Sequence, residues 1–369
     1  MPRSPKKDGE KPKSALRIVK GTAKHVSLTG ARQNQKKSEK KNKPQNPSIK
    51  KLVEGVLAND RAILARVITI IESDAKKDQK RAQQILKELI PHSGNSIRIG
   101  ITGMPGAGKS TFIDTLGIKL TARNHKVAVL AVDPSSSLTK GSILGDKTRM
   151  ENLSRDANAF IRPSPSGRTL GGVSRKTRES IIVFEAAGYD VILVETIGVG
   201  QNEIAVCSMV DFFLLILIAG AGDELQGIKR GVMEIADAIV INKADGINIR
   251  RAENTREEFD RALHYFQPVT DGWQPKAITV SALHDNGIDS AWDIIRSFRE
   301  ITEVNGAFRI KRRAQLKNWL YDLISGHLQN LLFTDSKIKK AISILEKQVI
   351  EGRLPAAQAA EDIIKKFLK

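Results

Sequence analysis

The sequence predicts an α/β fold with a doubly wound, mostly parallel sheet and helical extensions at both ends. Two observations predict the sheet: short apolar runs alternate with helical stretches over about 190 residues, and a glycine-rich loop follows the first run. A third predicts the extensions, because apolar residues recur near a period of 3.6 on either side of this region.

The strand candidates are rich in β-branched and other apolar residues. Several are apolar throughout, which is typical of parallel strands that are covered on both faces. The candidates are residues 97–102, 127–132, 159–162, 191–195, 212–218, 238–241 and 277–280.

The chain divides into four segments. We expect residues 1–47 to be a disordered basic tail, because they are rich in Lys, Pro, Ser, Asn and Gln and lack periodic apolar spacing. Residues 48–94 form a helical segment in which Asn59-Asp60 marks a break between two helices. Residues 95–286 form the α/β domain, and residues 287–369 are helical to the end.

The basic charge of the chain is concentrated in the tail. The 369 residues carry a formal charge of +19, which by itself suggests a nucleic-acid or acidic partner. Residues 1–50 hold 15 Lys and Arg against 3 Asp and Glu, a net +12, so the rest carries only +7. Nucleic-acid binding is therefore disfavoured for the folded part, and a contact of the tail with an acidic partner stays open.

Several classes of protein are disfavoured by composition. The single cysteine, Cys207, excludes an intrachain disulfide framework and a cysteine-rich metal site. The longest apolar run, residues 212–219, is much shorter than a membrane span, and the N-terminus lacks the apolar core of a secretory signal. We expect a cytoplasmic protein.

The loop after the first strand fits the phosphate-binding pattern G-x-x-x-x-G-K-[ST] at every fixed position. Its glycines let backbone N–H groups surround phosphate oxygens at the start of a helix. Lys109 is expected to reach the β- and γ-phosphates as a catalytic residue, and the Ser110 hydroxyl to ligate Mg²⁺. The sheet is therefore of the P-loop NTPase type, with nucleotide-binding candidates Gly103, Pro105, Gly106, Ala107, Gly108, Lys109, Ser110 and Thr111.

A second motif predicts that the base is guanine. Asn242-Lys243-Ala244-Asp245 directly follows a strand, and the Asp245 carboxylate can accept two N–H bonds from guanine, a donor pair that adenine lacks. The Lys243 stem can lie along the base. Further along, Ser281-Ala282-Leu283 follows another strand and matches a loop whose backbone N–H faces guanine O6. We therefore expect GTP rather than ATP.

Acidic residues at strand ends are candidates for the metal and the chemistry. Asp133 and Glu195 follow two predicted strands, so both can hold Mg²⁺ directly or through water. Glu195 and Asp146 are also candidate catalytic residues. Gly198 can donate its N–H to the γ-phosphate, whereas Gln201 is not adjacent to it and the residue that orients the attacking water stays unassigned.

Taken together, these segments resemble the MeaB/ArgK family of P-loop GTPases, the methylmalonyl-CoA mutase-associated chaperones. The resemblance is dense over about residues 95–285 and looser in both helical flanks. It rests on residues 128–136, 141–150, 160–165, 170–173, 194–201, 220–231 and 242–246.

The resemblance implies a SIMIBI-class GTPase that uses Mg²⁺ and works with an adenosylcobalamin-dependent acyl-CoA mutase. Such proteins gate cofactor loading, protect the mutase and form homodimers in which the C-terminal helices take part. The glycine-rich segment 220–231 resembles the switch that transmits the nucleotide state to the mutase. Asp223, Gln226 and Lys229 carry over to this role by position.

Two alternatives remain. A GTPase that loads a metal into another enzyme needs exposed Cys or His ligands, and none cluster in the sequence. An older family label is a kinase or ATPase of the lysine/arginine/ornithine transport system, which the Asn-Lys-Ala-Asp motif disfavours.

Overall fold

The computed structural model describes residues 47–132, 149–164, 170–196, 202–220 and 230–368. Seven strands lie within these residues: β1 Ile97–Gly103, β2 Val127–Val132, β3 Ala159–Ser164, β4 Val191–Thr196, β5 Phe212–Ile218, β6 Ala238–Asn242 and β7 Lys276–Thr279. The helices are α1 Ile49–Leu57, α2 Arg61–Glu72, α3 Lys76–Leu89, α4 Lys109–Ala122, α5 Glu151–Arg155, α6 Leu170–Ala186, α7 Asn202–Cys207, α8 Arg230–Glu234, α9 Ile249–Leu263, α10 Ile288–Val304, α11 Ala307–Thr334, α12 Ser336–Ile350 and α13 Ala356–Phe367.

The seven strands form one parallel sheet in the order β3-β2-β4-β1-β5-β6-β7. The order reverses direction at β1, with β2 to β4 on one side and β5 to β7 on the other. This confirms the predicted doubly wound α/β fold. In such sheets the ligand crevice lies at the carboxyl ends of the strands, next to the reversal point.

Helices cover both faces of the sheet. On one face α4 and α10 pack against β1 and its neighbours through residues such as Phe112, Leu116 and Ile295. On the other face α1, α2, α3 and α6 bury a second apolar cluster that includes Leu64 and Phe184. The central strands are thus covered on both sides, which explains their uninterrupted apolar sequences.

The N-terminal helices follow the predicted break. Asn59 adopts a positive φ of 55°, and Asp60 caps α2. The Asp60 carboxylate accepts backbone N–H bonds from Ala62 and Ile63 at 2.9 and 3.1 Å. An N-cap aspartate satisfies donors that the first helical turn leaves unpaired, so the chain turns here and starts a new helix.

The C-terminal helices differ from the N-terminal ones in their exposure. The first turns of α11 are partly buried against the sheet, with Phe308 and Gln315 less than 10 % exposed. Beyond this point the same helix leaves a row of apolar side chains open to solvent. The row consists of Leu316, Leu320, Leu323, Ile324, Leu328 and Leu331, which are 37 to 57 % exposed.

The amino edge of the sheet is closed by charged pairs. Arg98 donates two hydrogen bonds to Glu185 at 2.8 and 2.9 Å, and Arg312 of α11 donates two to Asp211 at 2.7 Å each. Lys311 donates to the Asp211 carbonyl oxygen at 2.6 Å. The bonds from Arg98 join β1 to the end of α6, and those from Lys311 and Arg312 join α11 to the residue before β5. Within the residues that the structure describes, no helix has both the length and the apolar character of a membrane span.

Candidate functional site

The glycine-rich loop leaves β1 at the carboxyl edge of the sheet and ends where α4 begins. Two of its glycines are required by close contacts. A Cβ on Gly103 would lie 2.1 Å from the Ile216 carbonyl oxygen, and one on Gly108 would lie 2.4 Å from the Asn242 amide nitrogen. Both also have positive φ, 145° and 90°, a region that L side chains rarely adopt. The loop therefore lies directly against β5 and β6.

Lys109 lies folded back along this loop. Its ammonium group donates hydrogen bonds to the carbonyl oxygens of Gly103 at 2.6 Å and Met104 at 3.1 Å. Burial lowers the pKa of Lys109, and the nearby Glu195 carboxylate partly offsets this. The loop thus holds a desolvated cation beside its own backbone N–H groups, an arrangement suited to a polyphosphate.

Ser110 and Glu195 meet across the reversal point of the sheet. The Ser110 hydroxyl, in the first turn of α4, donates to Oε1 of Glu195 at 3.0 Å, and Glu195 lies buried near the end of β4. A hydroxyl and a carboxylate are the oxygen donors that Mg²⁺ prefers, and Mg²⁺ usually takes only one or two protein ligands beside phosphates and water. The two side chains therefore fit a magnesium ion.

Asn242 connects the phosphate loop to the base-reading loop. Its amide nitrogen donates to the Ala107 carbonyl oxygen at 2.8 Å, and its amide oxygen accepts from the backbone N–H of Ala282 at 3.0 Å. The side chain is 2 % exposed and uses both of its ends. The three predicted motifs are therefore joined at one residue, although Ala107 and Ala282 are far apart in the sequence.

The proposed base-reading residues lie together beside this junction. The Ser281 hydroxyl donates to Oδ2 of Asp245 at 2.5 Å, which orients the carboxylate. Lys243 has a positive φ of 59° and lines the cavity, and Leu283 is 76 % exposed on the loop. The structure thus joins the two base-reading motifs through two pairs, Asp245 with Ser281 and Asn242 with Ala282.

A cavity of about 740 Å³ opens over the phosphate loop and reaches Lys243 of the first base-reading motif, a volume in the range of small-molecule and cofactor sites. One cation at its rim, Arg149, was not predicted as a site residue. Its signal in the sequence is weak, since it is one of many basic residues in a polar segment. Glu203 of α7 is also buried near Lys109, and its charge adds a small contribution against the lowering of the Lys109 pKa. The cavity is lined by Pro105, Gly106, Gly108, Lys109, Ser110, Thr111, Arg149, Glu195 and Lys243.

The remaining predicted site residues lie outside the residues that the structure describes. They are the metal and catalytic candidates Asp133 and Asp146 and the switch candidates Gly198, Gln201, Asp223, Gln226 and Lys229.

Comparison with known proteins agrees with this geometry. The family model described as methylmalonyl-CoA mutase-associated GTPase MeaB matches residues 64–337, most of the chain. The chain belongs to the MeaB family. Its GTPase relatives and its P-loop fold show that it is a GTPase.

Relatives of the MeaB-family chain match most of its length. GTPase ArgK of Escherichia coli (strain K12) is 44 % identical over 320 residues, which cover 86 % of this chain and 96 % of that protein. The mitochondrial methylmalonic aciduria type A homolog of Mus musculus is 43 % identical over 329 residues, 86 % of this chain and 79 % of that protein. A crystal structure of a LAO/AO transport system kinase has a TM-score of 0.71 at 36 % identity and covers 87 % of this chain and 98 % of that one.

Proposed function

We propose that this GTPase binds its nucleotide across the cavity, with the phosphates on the Gly103–Ser110 loop and guanine between Asp245 and the Ser281–Leu283 loop. The observation that carries this proposal is the double hydrogen bond of Asn242, which fixes the phosphate loop and the base-reading loop relative to each other. Loops that are already held relative to each other lower the entropic cost of binding a ligand between them.

Lys109, Ser110 and Glu195 are proposed as the groups around the phosphates. Lys109 balances phosphate charge, and Ser110 and Glu195 hold Mg²⁺ together with Asp133. The ion, when bound, neutralises charge that builds up on the phosphate oxygens during hydrolysis. Lys109, Glu195 and Asp146 are the candidates for catalysis.

The base assignment is tested by exchanging one atom of Asp245. Asp245→Asn replaces an acceptor by a donor, so it loses the pair of bonds to guanine but can donate to the O2 of xanthine. We expect GTP affinity to fall at least about 100-fold, since a charged hydrogen-bonded pair is lost, and affinity for XTP to rise. Equal binding of GTP and ATP by the unaltered protein would contradict the assignment.

We also propose that the protein is a chaperone for methylmalonyl-CoA mutase or a related cobalamin-dependent acyl-CoA mutase. Its role would be to gate the loading of adenosylcobalamin and to protect the mutase from inactivation. The support is the family itself and the name of its mouse relative, a methylmalonic aciduria type A homolog.

A reconstituted system tests this role. Purified methylmalonyl-CoA mutase is followed during turnover with adenosylcobalamin, with this protein and with GTP or a non-hydrolysable analogue. We expect slower loss of mutase activity with GTP, faster GTP hydrolysis with the mutase, and neither effect with Lys109→Ala. Unchanged inactivation and unchanged hydrolysis would refute the chaperone role.

The exposed apolar row on α11 is proposed as a contact with a second copy of the chain. Each member has another member three or four residues away, so together they form one stripe along the helix. Exposed apolar stripes of this length mark protein interfaces, and a homodimer buries the same stripe on both copies.

Light scattering after gel filtration tests the dimer. Leu320→Glu combined with Leu328→Glu places two charges in the stripe, and we expect a monomer. Gln329→Glu, on the opposite side of the same helix, is the matched control and should remain dimeric. A monomeric unaltered protein would remove this proposal.

A further inference from the structure

One face of α4 contacts the base-reading loop and holds it in place. The helix begins at the phosphate loop, and Thr115, Lys119 and Arg123 follow one another at intervals of four residues on a single side. Each of them contacts the turn that runs from Ser281 to the start of α10. None of the predicted motifs includes them.

Thr115 makes the innermost contact. Its hydroxyl donates to the carbonyl oxygen of Ala282 at 2.8 Å, and it also lies 3.0 Å from the Thr111 carbonyl oxygen of its own helix. Ala282 is 2 % exposed, so its carbonyl has little access to water. A buried acceptor that loses its donor costs more than an average hydrogen bond contributes.

The backbone on both sides of Ala282 is consequently held by hydrogen bonds. Its N–H donates to Asn242, which belongs to the guanine motif, while its carbonyl oxygen accepts from Thr115 of the phosphate-loop helix. The peptide groups before and after Ala282 are thus each held by one bond, and neither can rotate without breaking it. The bond from Thr115 thereby fixes the loop in which backbone N–H groups are expected to meet guanine O6.

Lys119 and Arg123 hold the outer part of the same turn. Lys119 lies 3.0 Å from a carboxylate oxygen of Asp285 and 2.8 Å from one of Asp289, and Arg123 lies 2.5 Å from Asp289. Asp285 has a positive φ of 55°, so the turn is sharp at this point. These pairs are half exposed, and pairs of this type contribute little and are screened by salt.

We propose that Thr115 is a positioning residue for base selection: its hydroxyl sets the Ser281–Leu283 loop, and removing it lowers affinity for guanine nucleotides without altering the phosphate site. The inference rests on the proposed guanine site. Lys119 has the same role to a smaller extent.

Competition of GDP and ADP against a fluorescent GDP analogue tests this on the full chain. Thr115→Val keeps the shape of the side chain but places a methyl group against the Ala282 oxygen. We expect GDP affinity to fall about tenfold and ADP affinity to stay within about twofold, so the preference for guanine drops about tenfold. Thr115→Ser keeps the hydroxyl and should restore the preference.

A second threonine of α4 supplies the matched control. The Thr121 hydroxyl donates to Asp156 at 2.6 Å on another side of the helix, away from the base-reading loop. Thr121→Val should lower the melting temperature and leave the ratio of GDP to ADP affinity unchanged. Lys119→Met should lower GDP affinity about twofold at low salt, with the difference disappearing in about 1 M salt.

Three outcomes would overturn the inference. A Thr115→Val variant with unchanged GDP affinity, or one that loses GDP and ADP affinity equally, assigns Thr115 no role in reading the base. Failure of Thr115→Ser to restore the preference does the same. If the unaltered protein binds ADP as well as GDP, the guanine site itself is wrong and the inference is refuted with it.

Discussion

The two edges of the parallel sheet use charged residues in opposite ways. At the amino edge, arginines and carboxylates bond to each other, as Arg312 does to Asp211. At the carboxyl edge, Lys109 and Glu195 converge on a cavity. Charges that bond to each other stabilise the fold, whereas Lys109 and Glu195, although hydrogen-bonded within the site, also face a cavity where a ligand can contact them. In this α/β sheet, the charged residues of the amino edge therefore serve stability, and those of the carboxyl edge serve function.

Lys109→Ala gives the largest expected effect, and it acts at the carboxyl edge alone. It removes the cation proposed to contact the phosphates, so GTP hydrolysis should fall at least about 100-fold. Thermal stability should change little, since burial disfavours the charge of Lys109 in the folded protein. Single-turnover hydrolysis and a melting curve measure both, and a large loss of melting temperature would contradict the separation.

Asp211→Asn should have the reverse effect at the amino edge. Asp211 is 1 % exposed and also accepts the backbone N–H of Arg98 at 2.8 Å. The amide leaves Arg312, whose side chain is only 14 % exposed, without its bonded carboxylate, so we expect a loss of about 3 kcal/mol in unfolding free energy. Nucleotide affinity of the folded protein should not change.

Denaturant unfolding compares the stability of the Asp211 variant with that of a variant in an exposed pair, which is the matched control. Asp293 and Arg296 lie 3.0 Å apart with both side chains about 60 % exposed. Asp293→Asn should cost less than about 1 kcal/mol, because such pairs are solvated in both states. Equal losses for the two variants would mean that burial is not what gives the amino edge its strength.

The loss of stability at acid pH gives the smallest expected effect. Hydrogen bonding from Lys119 lowers the pKa of Asp289 below its usual value. The stabilisation from this carboxylate is therefore present above the unfolded pKa of about 3.9 and is lost as pH falls through the lower folded pKa. Asp289→Asn should make the unfolding free energy depend slightly less on pH below about pH 4. We expect a difference of only about 0.5 kcal/mol, because the pair is exposed. Melting curves on both proteins from about pH 2 to 7 measure this, and a parallel acid loss in both would contradict it.

The strands and the phosphate loop were predictable because their signals are local. All seven predicted strands are present, with ends that differ by two residues or fewer, since continuous apolar runs and turn residues lie next to each other in sequence. The P-loop type of fold followed from one short motif. The placement of Asp60 at a helix start followed from capping preference in the same way.

The contacts that fix the site were not predictable because they join distant residues. Thr115 and Ala282 are 167 positions apart, and nothing near either one distinguishes it from an ordinary helix or loop residue. The amino edge did carry an overlooked signal. Three aspartates each directly precede a strand: Asp190, Asp211 and Asp237. The carboxylate of each accepts a backbone N–H bond from a residue at the start of the neighbouring strand or just before it.

Helix α11 is held by hydrogen bonds at its start, and its longer remaining part is largely exposed. Its 28 residues run from the amino edge outward, and the part beyond Gln315 extends about 28 Å at 1.5 Å per residue. A tilt of about 10° at the start of this part would therefore move its far end by about 5 Å. In the proposed dimer, small rearrangements where Arg312 and Gln315 meet the sheet would reorient one GTPase unit against the other.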